Sequence, residues 1–146
     1  FACHGLINQR FPLNSALALT IREHPQDGQD NGLLQAWEII EKVRLDADLV
    51  TLSACDSGLG KEVGGEGLVG LTRAFQYAGA RSVLASLWSV PDESTVELMR
   101  HFYGYLKAGK SKDEALRAAQ IRAIRGGGAA AHPSRWAAFQ LHGDWR

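Results

Sequence analysis

The spacing of apolar residues changes along the chain: some segments have the spacing of a β-strand and others that of an α-helix. Residues 49–54 form an apolar run that stops at Cys55 and passes into a glycine-rich turn. A short run of this kind, rich in Leu, Val and β-branched Thr, predicts a strand buried on both faces. Cys55 would then lie at the carboxyl end of the strand, where open parallel sheets place ligands and reactive groups. The alternative interpretation is a small, buried, unreactive side chain.

Further strands and one helix are predicted before Cys55. Residues 1–3 are typical of the last residues of a strand, which is predicted to end at His4. Alternating apolar positions predict a half-buried strand over residues 15–22, followed by a polar loop and a return strand at residues 32–34 that completes a hairpin. A helix is expected over residues 36–44, because its apolar residues recur at helical spacing.

Helices and strands alternate after Cys55. Gly79 is expected to end the first helix in a left-handed conformation, and Ser111 with Glu114 fits a capping box. The predicted elements are, in order, a helix (68–77), a strand (81–87), two helices (92–109 and 111–125), a flexible glycine connector (126–128) and a final strand (136–141). This alternation predicts an α/β fold with a largely parallel sheet and helices on both faces.

Composition limits the classes of function. A chain of 146 residues is expected to form one domain that buries roughly 68–70% of its unfolded surface. Sixteen basic residues balance sixteen acidic ones, so no net field favours nucleic acid or an anionic membrane as a partner. No apolar run reaches the roughly 18 residues of a membrane helix, and no secretory leader is present, so a cytoplasmic location is expected. The two cysteines, Cys3 and Cys55, lack metal-ligand spacing, which predicts reduced thiols and no bound metal.

Two glycine motifs suggest nucleotide binding, and neither meets its full requirements. The Gly-Lys pair at residues 60–61 would need glycine where Cys55 lies and Ser or Thr where Glu62 lies. The run from Gly65 to Gly70 satisfies the dinucleotide pattern and opens a helix, but it begins ten residues after the preceding strand. Glycines that let a loop pass close to a reactive group are the preferred interpretation. No cofactor is therefore expected.

His4 and Cys55 form the strongest candidate chemistry. Each follows an apolar strand, and parallel neighbours would bring the imidazole and the thiol to the same edge of the sheet. An imidazolium lowers the pKa of a nearby thiol and can pass a proton to a departing amine. Backbone N–H groups of Gly5 and of the turn after Cys55 could bind a tetrahedral oxyanion. Cys3 points away from His4 in this alternation and is expected to lie in the core.

Several blocks in register resemble the CHAT domain, a caspase-like cysteine peptidase domain related to caspases and separase and often found beside tetratricopeptide repeats. The blocks are FACHG at residues 1–5, PLNSAL at 12–17, LSACDSGLGK at 52–61, GEGL at 65–68, YAGARSV at 77–83, SLWSVPD at 86–92 and WAAFQL at 136–141. Caspases likewise place their histidine roughly 50 residues before the cysteine. The resemblance covers nearly the whole chain.

The resemblance implies a fold, a reaction and a set of site residues. The fold would be a caspase-like three-layer α/β/α sandwich with a mostly parallel sheet. CHAT domains carry more sequence before the His-Gly block, so residues 1–146 would be a fragment of a larger chain in which the first strands of the sheet are missing. The reaction would be endopeptidase cleavage of a partner protein through a dyad of His4 and Cys55. The N–H groups of Gly5 and Cys55 would form the oxyanion hole.

Substrate and regulation are also implied by the resemblance. The segment Ser86, Leu87 and Trp88 would bind the substrate as an added strand. Asp92 matches an aspartate that in separase accepts arginine, and with Asp56 it would form an acidic pocket for Lys or Arg; alternatively Asp92 caps its helix and Asp56 faces water. A sensor module such as tetratricopeptide repeats would regulate the activity. The competing function is a catalytically silent caspase-like interaction module.

Overall fold

The fold comes from a computed structural model that describes residues 1–8, 10–20, 31–53 and 66–146, except the side chains of residues 66–68. Within these residues it is mixed α/β, with two three-stranded sheets and five α-helices. The strands are β1 (His4–Leu6), β2 (Ala16–Ala18), β3 (Leu33–Gln35), β4 (Val50–Leu52), β5 (Ser82–Ser86) and β6 (Phe139–Gly143). The helices are α1 (Ala36–Lys42), α2 (Glu66–Tyr77), α3 (Asp92–Lys107), α4 (Lys112–Gly126) and α5 (Pro133–Trp136). Short 3-10 helices occupy Pro12–Asn14 and Gly128–Ala131.

The first sheet is antiparallel, with β2 between β1 and β3. Leu17 of β2 is fully buried and lies opposite both Gly5 and Leu34. The predicted return strand is therefore confirmed, and its pairing forms the expected hairpin. The leading strand is shorter than predicted, since β2 ends at Ala18 and Leu19 is 44% exposed. Most of the loop predicted between these strands lies outside the described residues.

The second sheet has β5 at its centre, parallel to β4 and antiparallel to β6. The strand predicted over residues 81–87 is confirmed as β5, and all five of its residues are buried. The prediction of a mostly parallel sheet was wrong for the described strands, because three of their four ladders are antiparallel. The parallel ladder is the one whose strands are joined through the helix α2, as parallel pairing requires a crossover.

Two apolar clusters pack against opposite faces of β5. Val83 and Ala85 belong to a cluster with residues of α1 and α2, whereas Leu84 belongs to a cluster with residues of α3 and α4. Alternate residues of a strand point to opposite faces, so helices cover both sides of β5. The largest buried side chains of the two clusters are Phe75 and Phe102.

Near its end the chain departs from the prediction. The strand expected from residue 136 begins only at Phe139, because α5 occupies Pro133–Trp136. Proline suits the first turn of a helix, and the ring of His132 accepts a hydrogen bond from the backbone N–H of Ser134 at 3.3 Å. The glycine connector is also more regular than predicted, since α4 continues to Gly126 and a 3-10 helix follows.

Ser111 precedes α4, but it does not form the predicted capping box. Its hydroxyl donates to the Oδ1 of Asp113 at 2.6 Å and makes no capping hydrogen bond to the helix backbone. The hydrogen bond to Ser111 lowers the pKa of the Asp113 carboxyl. A box forms instead at α1, where the backbone N–H of Gln35 donates to Glu38 at 3.1 Å.

Gly79 ends α2 with φ +116°, in agreement with the predicted need for glycine there. A Cβ atom at this position would lie 2.1 Å from the carbonyl oxygen of Leu45. The backbone N–H of Leu45 also donates to the carbonyl of Ala78 at 2.7 Å. This close approach fixes the turn between α2 and β5 against the segment that leads into β4.

Among the described helices, none combines the length and the apolar character that a membrane-spanning segment needs.

Candidate active site

His4 opens β1 and its side chain is exposed, while the next residue, Gly5, is buried. The strand was expected to end at His4, and this was wrong: β1 continues to Leu6 and pairs with β2, where His4 lies opposite Ala18. Successive residues of a strand face opposite sides, so the exposed side carries the imidazole.

The two sheets meet where the segment before His4 runs beside the end of β4. Ala2 and Ser53 form a parallel bridge. The backbone nitrogen of Phe1 donates to the carbonyl of Thr51 at 2.7 Å, and the N–H of Ser53 donates to the carbonyl of Phe1 at 2.9 Å. The expected parallel neighbourhood of these two segments is confirmed at this bridge. The ring of Phe1 also packs against Phe75, with centroids 5.3 Å apart.

The predicted nucleophile Cys55 and the predicted pocket residue Asp56 lie outside the described residues, as do the glycines from Gly58 to Gly65. Their roles, and the role of the Cys55 N–H in an oxyanion hole, stay predictions.

Cys3 is partly buried and packs against the first apolar cluster. Burial raises the pKa of its thiol, and the positive charge of the neighbouring amino group lowers it to a smaller extent. A thiol with a raised pKa is mostly protonated at neutral pH and is a poor nucleophile. This agrees with the structural role expected for Cys3.

The predicted substrate segment is engaged on one side by β6. Ser86 lies opposite Phe139, and the N–H of Leu87 donates to the carbonyl of Ala138 at 2.9 Å. Among the described residues the ladder with β4 reaches Ala85. β6 therefore occupies one of the two hydrogen-bonding edges of this segment.

The side chains of this segment have different surroundings. The hydroxyl of Ser86 is buried and has no hydrogen-bond partner among the described residues. Trp88 is partly buried against the second apolar cluster, and its indole N–H donates to the carbonyl of Ser134 at 3.0 Å. The polar edge of the indole is thus already bound within the chain, and only the ring is left to contact a ligand.

Asp92 is exposed and is the first residue of α3. The alternative that it caps the helix was wrong, because Pro91 occupies the capping position and no side-chain capping bond forms. With Glu93 it places negative charge in the first turn, which the helix dipole favours. Within the described part of the chain its carboxylate makes no hydrogen bond or ion pair.

His101, which lies on α3, has several partners. His101 accepts a hydrogen bond at Nε2 from the Nε of Arg122 at 2.9 Å and lies 3.8 Å from Glu97. Burial lowers the pKa of His101, as do the charges of Arg122 and Arg100, while Glu97 opposes the shift. The spacing of Glu97, Arg100 and His101 on one helix could have suggested the local contacts, but Arg122 comes from another helix. No group of three metal-binding side chains occurs in the portion of the chain that the structure describes.

Comparison with known proteins gives a family and two relatives. The model of the CHAT domain family matches residues 1–144. The chain is similar to tetratricopeptide repeat protein 28 of Mus musculus, with 39% identity over 112 residues, which make up 77% of this chain and 4% of the relative. It is similar to tetratricopeptide repeat protein 28 of Homo sapiens at 37% identity, with the same coverage. The chain thus spans about 4% of the length of these relatives.

Proposed function

The chain belongs to the CHAT domain family, and from this we propose that it is a cysteine endopeptidase in which His4 and Cys55 form the catalytic dyad. The proposal includes a caspase-like three-layer α/β/α sandwich for the domain. Two observations support that architecture: helices cover both faces of β5, and the bridge between Ala2 and Ser53 brings the two sheets side by side.

The single observation that carries the dyad is the parallel register at this bridge. His4 follows Ala2 by two residues, and Cys55 follows Ser53 by two residues. If the register continues, the two positions are opposite each other on strands roughly 4.8 Å apart. Residues two apart share a face, so both side chains would project on the same side, which is the exposed side at His4.

The proposed reaction uses these groups in two stages. The Cys55 thiolate attacks the carbonyl carbon of the scissile amide, and the oxyanion that forms is bound by the N–H groups of Gly5 and Cys55. The imidazolium of His4 gives its proton to the departing amine as the C–N bond breaks, leaving a thioester. Water then attacks the thioester while His4 takes up a proton, and the acid product leaves as the thiolate is regenerated.

Substrate binding is assigned to the end of β5 and the two residues after it. The peptide would add as a strand along Ser86, Leu87 and Trp88. Asp92, exposed and without a partner in the described residues, would join Asp56 in receiving a Lys or Arg side chain. The similarity to tetratricopeptide repeat proteins supports a regulatory module of that kind in a longer protein of which this chain is one domain.

A silent interaction module is the second candidate, favoured by one observation. Leu6, Phe11 and Leu13, on β1 and the turn that follows it, are exposed by 39–55%. Exposed apolar side chains of this size are typical of protein contacts.

A peptidyl acyloxymethyl ketone with arginine before the reactive group separates the two functions. We expect it to add covalently to the wild-type chain, as detected by intact-mass spectrometry. Labelling should be lost in Cys55→Ala, strongly slowed in His4→Ala and retained in Cys3→Ala, the matched control. Equal labelling of the wild type and Cys55→Ala would contradict the enzyme. A peptide library with Lys, Arg, Asp or Leu before the cleaved bond then tests the acidic pocket.

A further inference from the structure

A small pocket lies between α3, α4 and α5, and none of the proposed catalytic or substrate residues line it. Its cavity has a volume of about 60 Å³. The inner wall is apolar and includes the buried Leu98 and Ala119 together with the partly buried Trp136. The remaining lining includes two arginines, Arg122 of α4 and Arg135 of α5.

Both guanidinium groups are held by neutral partners. Arg122 donates through Nε to His101 at 2.9 Å, and Arg135 donates through Nη1 to the hydroxyl of Ser94 at 3.0 Å. Across the residues that the structure describes, neither arginine has a carboxylate within ion-pair distance. A guanidinium carries five N–H donors in a planar fork, so each arginine keeps donors for another acceptor.

The other titratable groups at the pocket do not cancel this charge. His101 is largely buried, and burial together with the charges of Arg122 and Arg100 lowers the pKa of its ring, which favours the neutral form. Glu97 also lines the pocket, but its side chain is 63% exposed, and its carboxylate lies 4.0 Å from Arg100 and 3.8 Å from His101. The pocket therefore combines an apolar wall with two arginines that have no ion-pair partner among the described residues and with one exposed carboxylate.

We propose that this pocket binds a carboxylate carried on a two- or three-carbon apolar group. The arginine forks match the geometry of a carboxylate, and the apolar wall would contact the hydrocarbon part. A free short-chain acid and the side chain of an acidic residue in a peptide share this chemistry. Inorganic phosphate has no apolar part to place against Leu98 and Trp136, and it should bind less well.

Titration of the 146-residue chain with propionate tests the proposal. Binding would be followed by the fluorescence of Trp136 and by the NMR signals of the His101 ring. Propionate should bind saturably, whereas neutral propionamide should not. Arg122→Gln and Arg135→Gln should each weaken binding about tenfold or more, because each removes a charge-assisted hydrogen bond. Arg117→Gln, an exposed arginine of α4 outside the pocket, is the matched control and should leave binding within about twofold.

A second ligand distinguishes the two sources of the carboxylate. A second variant keeps the test valid if a glutamine variant fails to fold. Tighter binding of N-acetylglutamate amide than of propionate would indicate an acidic side chain, and the reverse order would indicate a free acid. Arg122→Lys, which keeps the charge without the fork, should bind propionate with intermediate affinity. The proposal is overturned if propionate gives no saturable change in the wild type, if both glutamine variants bind it as the wild type does, or if phosphate displaces it at lower concentration.

Discussion

Replacing Gly79 by alanine should destabilise the fold through one backbone contact. The residue has φ +116°, and the new Cβ atom would lie 2.1 Å from the carbonyl oxygen of Leu45. The unfavourable φ costs about 1–3 kcal/mol, and overpacking against rigid backbone costs about as much again. The loss of unfolded-state entropy on changing glycine to alanine returns only about 0.4–1 kcal/mol. We expect a net loss of about 3 kcal/mol in the free energy of unfolding, within the spread of these ranges.

Two further variants separate the contributions of backbone conformation and steric contact. Gly109 also has a positive φ, +86°, but a Cβ atom added there would meet no other atom within 4 Å. Gly109→Ala should therefore cost only about 1 kcal/mol. Gly79→Asn introduces the same Cβ atom in a residue that tolerates positive φ better, so it should stay close to Gly79→Ala.

Urea unfolding monitored by far-ultraviolet circular dichroism and tryptophan fluorescence measures these differences. The midpoints should shift with an unchanged slope, as expected for a two-state domain of this size. The thermal midpoint of Gly79→Ala should fall by roughly 10 °C. If Gly79→Ala and Gly109→Ala lose the same stability, the contact with Leu45 does not constrain the turn and the reasoning is refuted.

Three further predictions concern single side chains. Phe102→Ala should lower the unfolding free energy by about 3–5 kcal/mol, because the ring is fully buried. Tyr77→Ala, at a residue that is 75% exposed, should change it by about 0.5 kcal/mol or less. Similar losses in the two variants would contradict the assigned core. Lys112→Ala removes a buried ammonium that donates to the hydroxyl of Ser82 at 3.0 Å and to the carbonyl of Asp144 at 3.2 Å, and it should lower the unfolding free energy by about 2 kcal/mol. Lys110→Ala, at an exposed lysine, is the control and should be near neutral. Equal urea midpoints for the two variants would refute this role. The pKa of His101 is lowered in the folded chain, so the unfolded chain binds more protons below about pH 6.5. Acidification should therefore destabilise the wild type more than His101→Gln. Parallel curves of stability against pH for the two proteins would contradict that shift.

The pattern of apolar residues predicted the strands and helices that are well buried in the core. The strand predicted over residues 81–87 is confirmed as β5, and the helix predicted over residues 92–109 is confirmed as α3. The pattern failed at residues 136–138, where apolar side chains fit a strand and a helix equally well. There the proline at residue 133 and the capping side chain of His132 decide for α5.

Strand direction and contacts between helices were harder to predict. The alternation of strands and helices suggested parallel pairing, but it does not specify on which side of β5 the chain returns, and β6 runs antiparallel. The hydrogen bond from Arg122 to His101 and the ammonium of Lys112 near Ser82 join residues far apart in sequence. Such contacts depend on how helices pack, which local periodicity does not encode.

The candidate site was predicted in part for the same reason. Parallel pairing beside His4 is confirmed at Ala2 and Ser53. It could be predicted because an apolar segment precedes both His4 and Cys55. The dyad itself rests on Cys55 and stays a prediction. The segment from Ser86 to Trp88 was assigned as a substrate edge, and β6 restricts that assignment to one side.

The pH dependence of Cys55 alkylation tests the dyad most directly. Cys3→Ala leaves Cys55 as the single thiol of the chain, so the rate of reaction with iodoacetamide reports on that thiolate alone. If His4 lies beside it, the apparent pKa should fall at least about one unit below the usual 8.5, and Cys3→Ala combined with His4→Gln should return it towards that value. Identical profiles near pH 8.5 with and without His4 would contradict the proposed pairing of imidazole and thiol.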